Sequence, residues 1–359
     1  MEESLLKSTP GWLWAVGIAV IILFVYVIWY FIDWSNSSVR LGRILKSLDV
    51  YKTLVSIAPI DCTDPSNNPY KVCDYYIAGA SRAIFASNTI FDYTSEQAIQ
   101  KIIVAGARWI ELDIMEEGGK PIVSVENTRY NFRQTLNKVY LEDALNIIAQ
   151  SAWNPSIVSN SSDPLFISFN IAGNNTTLIN NTAALINQYL SSKLLDSTYS
   201  YQRINIAQEP ICNLINKVVI VSGGNSKNTD LDEFVNLSWA GSNLRRNGLT
   251  ATEETHDHDE LTDYNKQNLT MVYQDPNTSN VNKSGEVCST YGCQVILMNY
   301  ASQDEAMEEY LERFQLSSFV LKPESLRYST PTYPTPTAQN PVKSYQPIQV
   351  TTPMYNVTV

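Results

Sequence analysis

The sequence is short of basic residues. Its 359 residues contain 25 lysines and arginines against 36 aspartates and glutamates, which gives a net charge of −11 at neutral pH. This deficit excludes the basic surface that nucleic-acid binding requires, and it argues against general adsorption to anionic lipid. Histidine is scarcer still, since the chain has only two, His256 and His258. Both lie in one acidic stretch, EETHDHDELTD.

This acidic stretch has two interpretations. Its six acidic residues and two imidazoles are groups that could hold a metal ion. The spacing matches no known metal cage, so a solvated acidic loop is the preferred interpretation. We therefore predict no metal site there.

Cysteine is sparse and odd in number, with five in the chain. Cys62 and Cys73 flank the loop CTDPSNNPYKVC and could pair if the compartment is oxidising, and Cys288 and Cys293 are also close in sequence. An odd count leaves at least one free thiol, which we expect to be buried among apolar residues.

Apolar residues are plentiful: they make up 44% of the chain, and 11% of the chain is aromatic, as in a packed core. The run from Gly11 to Ile32 has 22 residues and no charge, and about 20 such residues span a hydrocarbon core. Interfacial aromatics flank both ends, as in membrane spans (Trp12, Trp14, Trp29, Tyr30 and Trp34). A signal peptide would be shorter and would end in small residues. The run predicts a retained single-pass anchor in a lipid bilayer.

The side of the membrane on which the rest of the chain lies stays open. Arg40, Arg43 and Lys46 follow the span, while only Lys7 precedes it closely, so the positive-inside rule places the large carboxyl-terminal part in the cytosol. Asn-x-Ser/Thr sequons matter only in a secretory lumen. The chain has ten of them, although its richness in Asn, Ser and Thr supplies several by chance: Asn36, Asn160, Asn174, Asn175, Asn180, Asn236, Asn268, Asn277, Asn282 and Asn356.

Strand-like and helix-like segments alternate after the anchor. The segments DYYIAGA, RWIELDIM, KPIVSV, LFISFNI, NKVVIVSGG, LTMVYQD and CQVILMNYA predict strands. The segments SEQAIQKIIVAGA, LEDALNIIAQSAW, NTAALINQYLSSKLL and SQDEAMEEYLERF predict helices, with Ser95 and Ser302 at cap positions. This alternation, with no internal repeat, predicts an α/β fold whose size suits a closed eight-fold barrel.

The composition divides the chain into consecutive parts. We assign residues 1–10 to a short tail, 11–32 to the membrane helix, 33–60 to a juxtamembrane helix or stalk, and 61–328 to the barrel. Residues 329–359 are rich in proline and threonine and have almost no charge. Such a segment cannot bury a core, so it predicts a disordered tail.

Two acids interrupt the apolar strand RWIELDIM. Because side chains alternate along a strand, Ile110, Leu112 and Ile114 share one face, and Glu111 and Asp113 share the other. A buried acid costs several kcal/mol unless a cation or hydrogen-bond donors meet it. The pair therefore indicates a site that was built to hold a cation.

These segments, in this order, resemble the catalytic barrel of phosphatidylinositol-specific phospholipase C. The segments YYIAGASRAIFAS, GARWIELDIMEEGGKPIVSVENT, LEDALNIIAQSAW and PLFISFNI resemble its X region, and GCQVILMNYAS and FVLKPESLRY resemble the end of its Y region. The X-like part covers 74–223 and the Y-like part 231–328, with the weakest likeness between Gly223 and Asn268. The resemblance implies a TIM-type (β/α)8 barrel and a phosphoric diester hydrolase ancestry in lipid metabolism.

The resemblance also implies two catalytic histidines, which the chain lacks at the matching positions. Those positions are Ser81 and Asn127, neither of which is a useful acid or base at neutral pH. The substrate-binding arginine of the family aligns with Met271, while Tyr273 beside it at the barrel mouth is retained.

The resemblance further implies a calcium ion held by four side chains. Glu111 and Asp113 retain the carboxylates at two of these positions, whereas the other two are Arg82 and Asn170. We therefore expect no calcium and no other cofactor, and we expect the Arg82 guanidinium to neutralise the two carboxylates directly.

The leading prediction is a membrane-anchored, catalytically inactive phospholipase-C-like protein with a binding or architectural role. Losing each acid–base group costs about 10²–10⁴-fold in rate, and the remaining barrel mouth could bind a lipid headgroup or a protein. One alternative is an active phosphoric diester hydrolase that uses other residues. Another is a structural envelope glycoprotein, since the composition and single anchor suit a large DNA virus or a protist, in an envelope or an internal membrane.

Overall fold

The computed structural model describes residues 11–35, 37–54, 57–64, 68–85, 87, 92–124, 126–127, 132–133, 135–275, 281–329, 347 and 349–358. The helices are α1 (Gly11–Ser35), α2 (Ser37–Ser47), α3 (Tyr51–Leu54), α4 (Glu96–Val104), α5 (Leu141–Ser151), α6 (Thr176–Leu190), α7 (Leu249–Glu253), α8 (His258–Asn265), α9 (Glu286–Thr290) and α10 (Glu305–Arg313).

The strands are β1 (Tyr75–Ala80), β2 (Trp109–Glu117), β3 (Lys120–Ser124), β4 (Glu126–Asn127), β5 (Phe132–Arg133), β6 (Val139–Tyr140), β7 (Leu165–Ile171), β8 (Val218–Ser222), β9 (Val235–Ser238), β10 (Leu244–Gly248), β11 (Leu269–Tyr273), β12 (Val295–Met298), β13 (Phe319–Leu321), β14 (Gln349–Thr351) and β15 (Asn356–Thr358).

Eight parallel strands form a nearly closed barrel in the order β10-β11-β12-β1-β2-β7-β8-β9. Strand β13 pairs with β1 in an antiparallel orientation, and β3 pairs with both β2 and β6, also in an antiparallel orientation. Helices separate most of the barrel strands along the chain, as parallel crossovers require. The predicted TIM-type barrel is therefore confirmed.

The alternating pattern of β2 separates two apolar layers. Ile110, Leu112 and Ile114 pack in the outer layer, between the strands and the helices. Trp109 belongs to the inner layer, where it stacks on Phe166 with ring centres 4.8 Å apart. Because side chains two residues apart share a face, Glu111 and Asp113 follow Trp109 on the inner face.

Strands β9 and β10 were missing from the predicted elements. Both are short, and β10 reads LRRNG, which has no continuous apolar run. In β9, Val235 packs in the outer apolar layer and Leu237 in the inner one, whereas β10 contributes Leu244 to the inner layer. A further difference concerns α10, whose amino-terminal cap is Asp304, which accepts from the Met307 amide, and not the predicted Ser302. The predicted Ser95 cap of α4 is present, since its side chain accepts from the Gln97 amide.

The described residues contain one helix long and apolar enough to cross a membrane, within α1. Its stretch from Gly11 to Ile32 has a mean hydropathy of 2.7, and none of that stretch is buried by the rest of the chain. A signal sequence near the amino terminus would meet the same test of length and composition.

The predicted juxtamembrane helix or stalk packs against the barrel. Helix α2 and the turn after it place Leu45 and Leu48 in the outer apolar layer, with 8% and 1% of their surfaces exposed. Tyr51 of α3 is also buried, and its hydroxyl donates to the Tyr300 carbonyl oxygen at 2.6 Å. We call residues 37–54 the strap.

Cysteine pairing differs from the prediction. Cys62 forms a disulfide with Cys212, 150 residues away, and not with Cys73. The Cys73 side chain points into the inner apolar layer, where its thiol donates to the Lys266 carbonyl oxygen at 3.3 Å. Nearness in sequence was therefore a poor guide to pairing. The thiols of Cys73, Cys288 and Cys293 are free and buried.

The tail from Tyr328 onwards is a separate unit. Disorder was predicted for residues 329–359, of which 330–346, 348 and 359 lie outside the described residues. In the described part, β14 and β15 form an antiparallel hairpin. Threonine and valine in these strands favour an extended backbone. The prediction of disorder was based on the proline content of the whole segment and did not consider this local preference.

Candidate functional site

The acidic pair lies near the carboxyl end of β2, on the inner face of the barrel. This end of a parallel barrel is where TIM-type enzymes carry their sites. Glu111 is buried, with 5% of its surface exposed, and Asp113 is partly buried. Two neighbouring carboxylates at this depth need counter-charges or donors.

Arg246 supplies the counter-charge to Glu111. Its Nε and Nη2 atoms donate to Oε2 and Oε1 of Glu111, each at 3.1 Å, in a two-pronged ion pair. The guanidinium also lies over the Tyr273 ring at 4.3 Å and the Trp239 ring at 5.5 Å. Burial alone would lower the pKa of Arg246, but the charge and hydrogen bonds of Glu111 outweigh it and raise the pKa.

Asp113 is held by an amide. Asn170, its register partner on β7, donates from Nδ2 to Oδ1 of Asp113 at 2.7 Å. Burial and the nearby Glu111 charge raise the pKa of Asp113 to about 6, against the opposing effects of Asn170, Arg82 and Arg246. Asp113 is thus protonated more readily than an exposed aspartate.

Arg82 is the second residue after β1 and has a backbone φ of +50°, in the left-handed region that an arginine rarely adopts. Burial lowers the pKa of its guanidinium, while Asp113 and Glu111 act to raise it. The predicted nearness of Arg82 to the two acids therefore agrees with its electrostatics. The fork on Glu111, however, comes from Arg246, which the sequence analysis did not single out.

A signal for Arg246 was present in the sequence. In β10, Leu244 packs in the inner apolar layer, and Arg246 is two residues further along on the same face. If LRRNG is identified as a barrel strand, its alternation predicts that the Arg246 side chain points into the barrel mouth. The low resemblance of this region concealed the strand.

Comparison with known proteins agrees with this architecture. Residues 69–222 match the family model of the phosphatidylinositol-specific phospholipase C X domain. The structures of L. pealei PLC21 and S. officinalis PLC21 superpose with TM-scores of 0.60 and 0.59 at 18% identity. The chain carries a barrel of the phosphatidylinositol-specific phospholipase C type.

The extent of these matches limits them to the fold. The two superpositions cover 72% of this chain, which spans 38% of each PLC21 chain. No curated protein matches the chain in sequence.

The residues of this phospholipase-C-type barrel do not fit a calcium ion. Calcium takes six to eight oxygen ligands. Both carboxylate oxygens of Glu111 accept from Arg246, and Asp113 accepts from the Asn170 amide nitrogen. Arg82 adds a positive charge where the family pattern implies a neutral ligand. Among the residues that the structure describes, no group of three His, Cys, Asp or Glu side chains is arranged to hold a metal.

The positions that match the family histidines carry no titrating group at neutral pH. Ser81 is buried, and its amide donates to the Met298 carbonyl oxygen at 3.0 Å. Asn127 pairs with Phe132 in the β4–β5 hairpin, and its side chain lies outside the described part of the chain.

The predicted mouth residues have structural roles. Met271 is fully buried in the inner layer, where the Ser168 hydroxyl donates to its sulfur at 3.6 Å, so it offers no polar group to a substrate. Tyr273 packs its ring against the guanidinium of Arg246.

The two histidines of this phospholipase-C-type barrel are exposed. His258 begins α8 and stacks on Tyr291, with ring centres 4.9 Å apart. Tyr291 precedes β12, so this contact lies outside the barrel, towards the amino-terminal side of the strands and away from the mouth.

Proposed function

We propose that the chain is a membrane-anchored phospholipase-C-like pseudoenzyme that acts in binding or architecture at a membrane. Its barrel keeps the shape of the phospholipase C scaffold, while the groups that move protons and hold calcium are replaced.

The observation that carries this proposal is the fork of Arg246 on Glu111. Phosphodiester cleavage needs a group that takes a proton and a group that returns one. In the described part of the mouth, the charged groups at the acidic pair are Glu111, Asp113, Arg82 and Arg246, whose formal charges cancel. An arginine does not lose its proton at physiological pH, so it neutralises the acids without supplying acid–base chemistry.

The length and composition of α1 support the anchor. Its 22-residue apolar stretch matches the thickness of a hydrocarbon core at 1.5 Å per residue. With the anchor in place, the barrel is confined to a membrane surface without needing a basic patch for adsorption.

The test uses the full chain reconstituted in vesicles that contain phosphatidylinositol. We expect no release of water-soluble inositol phosphate above protein-free vesicles, with or without calcium. The matched control is the double variant His256→Ala/His258→Ala. Release by the unaltered chain that this variant abolishes would overturn the proposal.

A second measurement addresses the metal directly. Isothermal titration of the detergent-solubilised chain with calcium should give no saturable heat in the micromolar range, because Arg246 and Asn170 already occupy the carboxylates. Saturable binding that Glu111→Gln removes would contradict this account of the site.

A further inference from the structure

The disulfide between Cys62 and Cys212 lies near the surface of the barrel. Both cysteines are only partly buried, and the two residues that follow Cys62 are exposed. A disulfide that solvent can reach is reduced in the cytosol, because glutathione and thioredoxin keep accessible cysteines as thiols there. Such bonds persist in secreted proteins and in a secretory lumen. The disulfide therefore indicates that the barrel lies on the oxidising side of its membrane.

The basic residues after α1 oppose this placement only weakly. The expectation of a cytosolic barrel rested on Arg40, Arg43 and Lys46. Arg40, in the strap, forms an ion pair with Asp92, with Nε 2.7 Å from Oδ1 and Nη2 3.0 Å from Oδ2. Because Asp92 is 2% exposed, the fold itself requires a cation at this position. Without Arg40, two basic residues follow the span and one, Lys7, precedes it closely, which is a small bias.

An oxidising lumen is also where the asparagine of an Asn-x-Ser/Thr sequon is glycosylated. The structure separates the ten sequons by the surroundings of their side chains. Two of them, Asn36 and Asn277, lie outside the described residues. Three are buried, namely Asn160, Asn236 and Asn282. The other five are partly or fully exposed, namely Asn174, Asn175, Asn180, Asn268 and Asn356.

Three of these five side chains are held through their amide oxygen. Asn180 is partly buried in α6, and its Oδ1 atom accepts from the Asp230 amide at 3.1 Å. Asn268 is also partly buried, and its Oδ1 atom accepts from Asn205 Nδ2 at 3.3 Å. Asn356 lies in the separate tail unit, where its Oδ1 atom accepts from a threonine hydroxyl of β14 at 3.1 Å.

Asn175 is held through both atoms of its amide. Its Oδ1 atom accepts from the amides of Thr177 at 3.0 Å and Leu178 at 3.4 Å, which caps α6. Its Nδ2 atom, to which a glycan would attach, donates to Oε2 of Glu116. A glycan on that nitrogen would displace Glu116 and disturb a cap that contributes about 1 kcal/mol. The sequon of Asn175 is complete in sequence, but its acceptor atom is engaged in the fold.

Asn174 is exposed and, within the part of the chain that the structure describes, its side chain makes no hydrogen bond. Thr176, whose hydroxyl completes the sequon, is exposed as well. The preceding residue, Gly173, has a φ of +72°, and a Cβ built on it would meet no atom within 4 Å. The acceptor nitrogen is therefore free, and the space around it is open.

The loop that carries Asn174 is short and fixed in place. It joins β7 to α6 at the carboxyl end of the barrel strands. Asn225 holds it by donating from Nδ2 to the carbonyl oxygens of Ile171 at 2.9 Å and Gly173 at 3.0 Å. Asn174 thus projects from an ordered frame beside the barrel mouth.

We propose that the barrel lies in an oxidising lumen and carries an N-linked glycan on Asn174. In the transfer, Nδ2 of Asn174 bonds to C1 of the first sugar of a lipid-linked oligosaccharide pyrophosphate. The bond between C1 and the pyrophosphate oxygen breaks, the lipid pyrophosphate leaves with the electron pair, and one amide proton is released. The proposal rests on the proposed function in one respect, since α1 is the segment that carries the chain into that membrane. A bulky, hydrated glycan beside the mouth fits a binding or architectural role.

The test is made on the full chain, produced in a eukaryotic cell that has an N-glycosylation pathway. Peptide N-glycosidase in heavy-oxygen water releases each glycan and leaves an isotope-labelled aspartate, which peptide mass spectrometry locates. We expect this label at position 174, because the acceptor nitrogen there is exposed and free. Absence of the label at position 174 would overturn the proposal.

Two matched substitutions separate the adjacent sequons. Thr176→Ala removes the sequon of Asn174 and keeps that of Asn175, because Asn-Ala-Thr is still a sequon, whereas Thr177→Ala does the opposite. Both threonines are exposed. The label should be lost in Thr176→Ala and should persist in Thr177→Ala and in the conservative variant Thr176→Ser. Loss in Thr177→Ala with retention in Thr176→Ala would assign the glycan to Asn175 and refute the proposal.

Extraction with alkaline carbonate distinguishes the glycan from the membrane anchor. A chain that resists extraction and has no label at position 174 refutes the glycan alone. A labelled chain that carbonate extracts refutes the anchor and leaves the glycan in place.

Discussion

The clearest quantitative test of the site is the change Arg246→Met. Methionine keeps an unbranched apolar side chain against Tyr273 but removes the guanidinium that meets Glu111. Glu111 would then remain with 5% of its surface exposed and without its forked partner. Removing one member of a buried ion pair typically costs about 3–5 kcal/mol, because the remaining charge stays desolvated. Arg82 still attracts Glu111, so we expect the lower end of this range.

The adjacent arginine provides a matched control. Arg245 forms the same two-pronged contact with Glu260, at 2.8 and 2.7 Å. Their side chains are 37% and 50% exposed, compared with 20% and 7% for Arg246 and Glu111. Exposed pairs contribute about 0.2–1 kcal/mol. Arg245→Met should therefore cost several-fold less than Arg246→Met.

The assay is urea unfolding of the detergent-solubilised full chain, followed by tryptophan fluorescence. The double variant Arg246→Met/Glu111→Gln should recover much of the lost stability, because it removes the desolvated charge together with its partner. Equal losses for Arg245→Met and Arg246→Met would refute the reasoning. Strict additivity in the double variant would refute it as well.

Two further predictions follow from the described contacts. The pKa of Asp113 is about 6 in the folded chain, against an ordinary value of 3.8. Its stabilising contribution is therefore complete below about pH 4 and is lost as the pH rises through 6. A difference of two pKa units corresponds to about 3 kcal/mol of unfolding free energy at most. Asp113→Asn should remove this pH dependence and raise the free energy of unfolding at pH 7.5; unchanged unfolding curves between pH 4 and pH 7.5 in both proteins would contradict the assignment. Cys62→Ser/Cys212→Ser should lower the free energy of unfolding by about 2–5 kcal/mol. In the unaltered chain, alkylated after denaturation, mass spectrometry should count three modified thiols without reductant and five with it, and five in both conditions would exclude the disulfide.

The barrel was predictable because most of its buried strands are long enough to show a pattern of apolar residues in the sequence. In β2, the alternation of Trp109 to Ile114 assigns each side chain to a face, and the structure has the same assignment. Strand β10 carries the same signal in only two residues, Leu244 and Arg246. Two residues cannot distinguish a strand from a loop by periodicity, so the counter-ion of Glu111 was not predictable in this way.

Contacts between distant parts of the chain were also not predictable from the sequence. Cys212 lies beside Cys62 because the folded barrel brings the segment before β8 to that position. The Arg40–Asp92 ion pair likewise joins residues whose separation of 52 positions leaves no periodic trace. Local pattern thus predicts which face a side chain occupies, while its partner depends on the closed fold.

The same limit applies to the sequons, whose number favoured a secretory lumen. Asn160, Asn236 and Asn282 are buried, and their side-chain nitrogens donate within the fold, for example Asn160 Nδ2 to Ser318 Oγ at 2.8 Å. A glycan attaches at that nitrogen and needs surface space, so these positions are incompatible with modification in the folded chain. Counting sequons therefore overstates the case for a lumen. The feature that favours an oxidising side is the disulfide between Cys62 and Cys212, and it opposes the cytosolic placement that the basic residues after the span indicate.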